Sequence, residues 1–216
     1  MSKQYRFFSP MQLRAATGSR RIEGRVFQYG TRSVLLPDWD YGRVFEEVTR
    51  GALAQDVIDA SDIVCCLNHD QNQMLARHRD GGGSLELELD DEGLIMQFDA
   101  ADTIWGNYAI ESVRRGDFSG MSFGFMADSN TFSYSKESDA DGKEYYVRHL
   151  DKIPQMFDVS IVTHPAYPAT SVSARSADVR EGLEHAGLLK AEPAPDSNPI
   201  VRNDFDTIGA WLRRTL

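Results

Sequence analysis

One serine, Ser122, stands between two glycines in Gly120-Met121-Ser122-Phe123-Gly124-Phe125, and its setting suits a nucleophile. On a β-strand, side chains alternate between faces. Phe123 and Phe125 then enter the core, while Ser122 and Gly124 share the other face and leave the hydroxyl at an open spot. A serine hydroxyl is nearly inert at its free pKa and needs a general base within hydrogen-bond reach, most often histidine. Serine beside glycine also serves as an ordinary tight-packing position, so the chemistry depends on which base can reach it.

There are five histidines. His69 follows the apolar run Ile63 to Leu67 where Asn68, Asp70 and Gln71 turn polar, at the mouth of a core strand. His78, His149 and His164 stand in more polar or loop-like settings, and His185 falls near the C-terminal end. A third group must hold the imidazole's tautomer and stabilise its cation. In Phe157-Asp158-Val159-Ser160-Ile161-Val162, alternation puts Phe157, Val159 and Ile161 on one apolar face and leaves Asp158 and Ser160 on the other. A carboxylate on so hydrophobic a strand needs a partner or solvent.

Two other chemistries share these residues. Gly120 to Gly124 formally matches G-x-S-x-G, and Ser122 followed by Asp151 or Asp158 and then His164 has the chain order of an α/β-hydrolase esterase. That elbow runs from strand into helix, whereas here the helical pattern precedes the serine. A metal hydrolase would use His69, Asp70 and His78, whose spacing matches no helical ligand motif.

The elements that must position these groups are mostly short strands. Arg21 to Phe27 and Val44 to Val48 read as strands, Gly51 to Ala60 as a short helix with Leu53, Val57 and Ile58 inward, and Ile63 to Leu67 as a strand buried on both faces. Asp80 to Ser84 resembles a phosphate loop but opens a strand, so its glycines read as a flexible lead-in to the hairpin of Leu85, Leu87 and Leu89 with Leu94, Met96 and Phe98. A helix capped at Asp102 or Thr103 and stopped by Gly116 carries Ile104, Trp105, Tyr108, Ala109, Ser112 and Val113 along one side. Strands follow at Thr131 to Ser135, Tyr145 to Leu150 and Met156 to Val162. Beyond about Ser176 come a helix over Ala177 to Leu188, a Pro-rich linker over Ala191 to Pro199, and an amphipathic end around Ile208, Trp211 and Leu212. This divides the chain into a main domain over 1–176 and an appendage over 177–216.

Composition narrows the class. The 216 residues are 41% hydrophobic and 10% aromatic, enough for one sizeable core. The adjacent Cys65 and Cys66 point to opposite faces of a strand and cannot form an ordinary disulfide, a usage suited to a reducing compartment. Burial as small hydrophobes is their simplest role. The formal net charge of −10 argues against clamping nucleic acid. No apolar run approaches the roughly 20 residues of a membrane span, and residues 1–6 resemble no secretory signal, which predicts a soluble intracellular protein.

With these pieces placed, the chain resembles the caudovirus prohead serine proteases, phage maturation enzymes related to the herpesvirus assembly protease. The resemblance runs from about Arg21 to Val172 through Ile22-Glu23-Gly24, Phe45 to Leu53, Leu67-Asn68-His69-Asp70, Asp91-Glu92-Gly93-Leu94, Gly120 to Phe125, and Asp158 to Ala166. It implies a mainly β fold with flanking helices, closed into a compact barrel, and a site of His69 as base, Ser122 as nucleophile and Asp158 as the acid. Asp158 falls where many members carry glutamate, so its shorter side chain must come closer to the imidazole. Leu53 replaces an aromatic, and Met74 to Arg77 lacks a glycine common after the histidine segment. The resemblance further implies scaffold or capsid protein as substrate and self-cleavage; the Pro-rich composition of the tail suits either an autocleavage region or a plain disordered end. It places the protein inside the assembling procapsid in the host cytoplasm, without a cofactor, and suggests a homo-oligomer. Backbone N–H groups in the Asp158 to Pro165 neighbourhood would form its oxyanion hole. A non-catalytic capsid-interior assembly protein with the same fold is the alternative from another class.

Overall fold

Alternation of apolar and polar residues dominates the chain, and strands dominate the computed structural model. It describes residues 2–8, 13–15, 18–33, 43–128, 130–163 and 182–189. The elements are β1 (Ser2–Phe8), β2 (Arg14–Ala15), β3 (Arg21–Gln28), β4 (Val44–Val48), α1 (Gln55–Asp59), β5 (Ile63–Leu67), β6 (Asp70–Arg79), β7 (Gly82–Gly83), β8 (Glu86–Leu89), β9 (Gly93–Asp99), α2 (Ile104–Arg115), β10 (Gly120–Ala127), β11 (Phe132–Ser138), β12 (Glu144–Leu150) and β13 (Gln155–Val162). The expectations for His164, the Pro-rich linker and the amphipathic end lie outside the described residues.

These strands form three sheets. The largest has the order β1-β10-β13-β5-β6-β7, the second β2-β3-β9-β8 and the third β11-β12-β4. The fold is mainly β with few helices, as read from the sequence, but the described ladders do not close on themselves. A barrel needs one continuous ladder returning to its first strand. Here β1 and β7 are left as edges of the largest sheet, so three open sheets stand in place of the barrel.

In the largest sheet, β10 pairs antiparallel with β1 and β13, and β13 pairs parallel with β5. Because β10 is flanked on both edges and covered on both faces, every residue from Gly120 to Phe125 is buried. Phe123 and Phe125 enter the core as their alternation requires, with Phe123 against Phe27 at 5.2 Å between ring centroids. The open spot expected at Ser122 is closed: the serine is fully buried, because β10 is a central strand.

The segment delivering the chain into β10 has the caps that its sequence signals. The Thr103 side chain accepts from the Gly106 N–H, and Gly116 ends α2 in the left-handed region. Its inward face is rotated from the expected one. Gly106, Ala109, Ile110, Ser112 and Val113 are buried, whereas Ile104, Trp105 and Tyr108 are exposed. Gly106 is required by the capping turn, since a Cβ there would sit 2.1 Å from the carbonyl oxygen of Ala101 in the lead-in to the same helix. Part of the chain's end also docks: Leu183, in a helical turn at 182–185, is buried against the third sheet with Val44 and Tyr134.

Candidate functional site

The site begins with a turn. Strand β5, Ile63-Val64-Cys65-Cys66-Leu67, is apolar throughout and lies between β13 and β6. Leu67 pairs with Asp70, leaving Asn68 and His69 as a two-residue hairpin loop with φ of 49° and 64°. Two successive positive φ values mark a type I′ turn. Asn and His are among the non-glycine residues that best tolerate this region. The turn is tied to the end of β13 by three bonds. The Asn68 N–H donates to the Ile161 carbonyl at 3.0 Å, the Thr163 N–H to Asn68 Oδ1 at 3.2 Å, and the His69 N–H to Ser160 Oγ at 3.2 Å.

Strand register then aligns the other groups. Ser122 on β10 lies opposite Ser160 on β13, which lies beside Cys66 on β5. These three residues therefore share one face, and Asp158, two residues before Ser160, shares it too. His69 folds over this face from the turn. His69 Nδ1 is 2.6 Å from Asp158 Oδ1, and His69 Nε2 is 2.7 Å from Ser122 Oγ. An ionised carboxylate only accepts, so the Nδ1 proton faces Asp158 and Nε2 is left to accept from the serine.

Burial sharpens the electrostatics. The Asp158 side chain is 2% exposed, and its carboxylate also accepts from Ser160 Oγ at 2.9 Å and from the Cys66 thiol at 3.1 Å. Burial, and then the charge of Asp158, push the Cys66 thiol well above its ordinary pKa, so it is a neutral donor. The structure thus brings His69, Ser122 and Asp158 together within hydrogen-bond reach, although they are 53 and 89 residues apart along the chain.

The competing arrangements fare differently. Ser122 has strand on both sides within β10, not the strand-to-helix elbow of an α/β-hydrolase, and His164 lies outside the described residues. His78 pairs with Ile63 and Asp70 with Leu67, so His78 is separated from Asp70 and the His69 turn by the length of β5, roughly 13 Å. The three do not converge on one point. Among the described residues no cluster of three or more His, Cys, Asp or Glu side chains is arranged to hold a metal. The N–H groups of residues 158–161 lie in a strand paired on both edges, so this part of the expected oxyanion neighbourhood is committed to the sheet.

Sequence reasoning missed two things. Cys66 is more than a small hydrophobe, and its signal was parity, since it is the cysteine in register with Ser160. A second serine-histidine-acid run also exists on the third sheet. Ser135 Oγ is 2.8 Å from His149 Nε2, and His149 Nδ1 is 2.8 Å from Glu47 Oε1.

No curated protein and no solved structure matches the chain significantly. A family model described as caudovirus prohead serine protease matches residues 9–185, a stretch that contains β2 to β13 and the whole hydrogen-bonded run from Asp158 to Ser122. The chain belongs to the caudovirus prohead serine protease family.

Proposed function

We propose that this chain is a serine endopeptidase that cleaves scaffold protein, capsid protein or both inside the phage procapsid during head maturation, and that it also cleaves itself. The observation that carries this reading is the unbroken hydrogen-bonded run from Asp158 through His69 to Ser122, in a member of the prohead protease family.

In this reading His69 Nε2 takes the Ser122 proton as Oγ attacks a peptide carbonyl carbon. The Nδ1 proton stays on the imidazole, and the Asp158 charge stabilises the imidazolium that forms. As the tetrahedral intermediate collapses, His69 returns a proton to the leaving amine and the acyl group remains on Ser122. Water then repeats the sequence, releasing the new carboxyl end and restoring the serine. Ser122 is closed to solvent while the His69 side chain stays 17% exposed. The substrate carbonyl therefore reaches Oγ only after the covering chain shifts on the side of the imidazole. The Pro-rich segment 191–199 is the proposed site of self-cleavage, since a peptide enters a protease cleft in extended form and prolines disfavour the helix and sheet pairing that would prevent it.

Co-expression with the capsid and scaffold proteins tests the reading. The wild-type chain shortens one or both, whereas Ser122→Ala and His69→Ala leave them intact while their circular dichroism and melting remain native. Cleavage that survives Ser122→Ala refutes the proposal. Cleavage that survives His69→Ala but not His164→Ala transfers the base to His164.

A further inference from the structure

We propose that Ser160 and Cys66 are positioning residues that set the place and the basicity of Asp158, and so tune His69 as a base; this rests on the protease reading above. The problem they answer is physical. A buried carboxylate without donors is costly, and a short aspartate must be held close to the imidazole.

The Ser160 hydroxyl occupies a central point. It donates to Asp158 Oδ1 at 2.9 Å and accepts from the His69 main-chain N–H at 3.2 Å. One oxygen therefore links the turn carrying the base to the acid that orients it. Cys66 reaches the other carboxylate oxygen, with Sγ 3.1 Å from Oδ2 and 3.2 Å from Ser160 Oγ. Ser160 and Cys66 are both buried, on adjacent paired positions of β13 and β5. Among the described residues, His69 is the ion-pair partner of Asp158, and no Lys or Arg is paired with it.

This donor set has a chemical consequence. A guanidinium at Asp158 would neutralise the carboxylate and weaken its hold on the imidazolium. A hydroxyl and a thiol satisfy its lone pairs while leaving its charge. A thiol is the weaker donor of the two, so Oδ2 is held in place with little loss of basicity. The site keeps a buried negative charge facing the imidazole.

The test uses the full-length protein and the steady-state cleavage of a peptide that spans a mapped cleavage site. Ser160→Ala should lower kcat by about 10- to 100-fold with little change in KM, the scale expected for a displaced catalytic pair. Ser160→Thr, which keeps the hydroxyl, should restore most of that loss. Cys66→Ser places a stronger donor on Oδ2 and should move the acid limb of the kcat/KM profile to lower pH. Cys66→Ala removes the donor and should move it to higher pH, each by about half a unit. A merely structural role would not move the limb in opposite directions in two variants of one residue. If Ser122→Ala and Asp158→Asn are inactive but the Cys66 and Ser160 variants keep wild-type kcat and pH profiles, the positioning role is wrong and the protease reading stands. If Ser122→Ala still cleaves, the protease reading itself falls. Should Ser160→Ala fail to fold, the opposed Cys66 shifts decide, and their absence overturns the proposal.

Discussion

Two regions of this molecule hold a serine, a histidine and a carboxylate in line, at nearly the same distances. In the largest sheet the run is Ser122, His69 and Asp158, at 2.7 and 2.6 Å; in the third it is Ser135, His149 and Glu47, at 2.8 Å twice. Their surroundings differ. Asp158 is 2% exposed and faces neutral donors, whereas Glu47 is 18% exposed and has the Arg32 guanidinium 3.7 Å away. His69 stands on a strained turn that swings its ring across the sheet, while His149 is a mid-strand residue in register with Glu47. Hydrogen-bond distance alone therefore does not tell the two arrays apart. Among the described residues, a desolvated acid paired with no Lys or Arg, and a histidine on a turn outside the sheet, distinguish the first array, to which the proposed function assigns catalysis, from the second.

The largest effect should separate the two arrays outright. Ser122→Ala should lower turnover by on the order of 10⁴-fold or more, and Ser135→Ala should leave it within about twofold, measured by peptide cleavage. Equal losses would erase the distinction drawn here. The acids provide the next contrast. Asp158→Asn, which disturbs the tautomer, should cost about 10³- to 10⁴-fold, while Glu47→Gln should change kcat little.

The third sheet should reveal itself in stability instead. On the opposite face from His149 and Glu47, Arg148 pairs with Glu46 at 2.7 Å, both side chains 1% exposed, and Arg148 lies over the Phe132 ring. Arg148→Met should destabilise the fold by about 3–5 kcal/mol in urea titration, because it strands a buried charge, whereas Glu47→Gln should cost about 1 kcal/mol or less. A smaller penalty follows at the turn. Asn68→Ala loses the bond from Thr163 and puts alanine at positive φ, which should cost about 1–2 kcal/mol and lower kcat with it, while Asn68→Gly should cost less.

The smallest effect keeps pH profiles interpretable. Arg25, bonded to both oxygens of Asp90 at 2.8 Å, holds that carboxyl well below the usual carboxylate range, helped by the N–H groups of Glu92 and Gly93. A depressed folded pKa means stability that is present above the unfolded value near 4 and is lost as pH falls through the folded one. Loss of stability at this pair is therefore confined to pH below about 4. Asp90→Asn should flatten the stability curve below about pH 4 and leave the acid limb of kcat/KM in place, as read by melts and initial rates.

The three residues that the structure brings together were legible because each sits where a periodic pattern breaks. His69 ends an apolar run, Ser122 interrupts an aromatic alternation, and Asp158 is a charge on a hydrophobic strand. Strands β4 and β5 were legible to the residue for the same reason. What was not legible depends on long-range pairing. Strand β6 was not seen, because Gln71, Asn72 and Gln73 mask its alternation, and its identity comes from pairing with β5. The two positive φ values were hidden because Asn-His is not the Asn-Gly signature of an I′ turn. The orientation of α2 was misjudged because its buried face includes the small residues Gly106, Ala109 and Ser112 while the larger Ile104, Trp105 and Tyr108 stay exposed, the reverse of what a hydrophobic pattern suggests.

Strand order has a consequence for when His69 and Ser122 can first meet. The strands beside His69 and Ser122, β5 and β10, are not neighbours: β13 lies between them, and it is the last of the three to leave the ribosome. A nascent chain that already contains the imidazole and the hydroxyl has nothing to hold them in register until residues 155–162 insert. Synthesis order thus delays the contact of His69 with Ser122, and any activity the proposed function assigns to it, until β13 is complete.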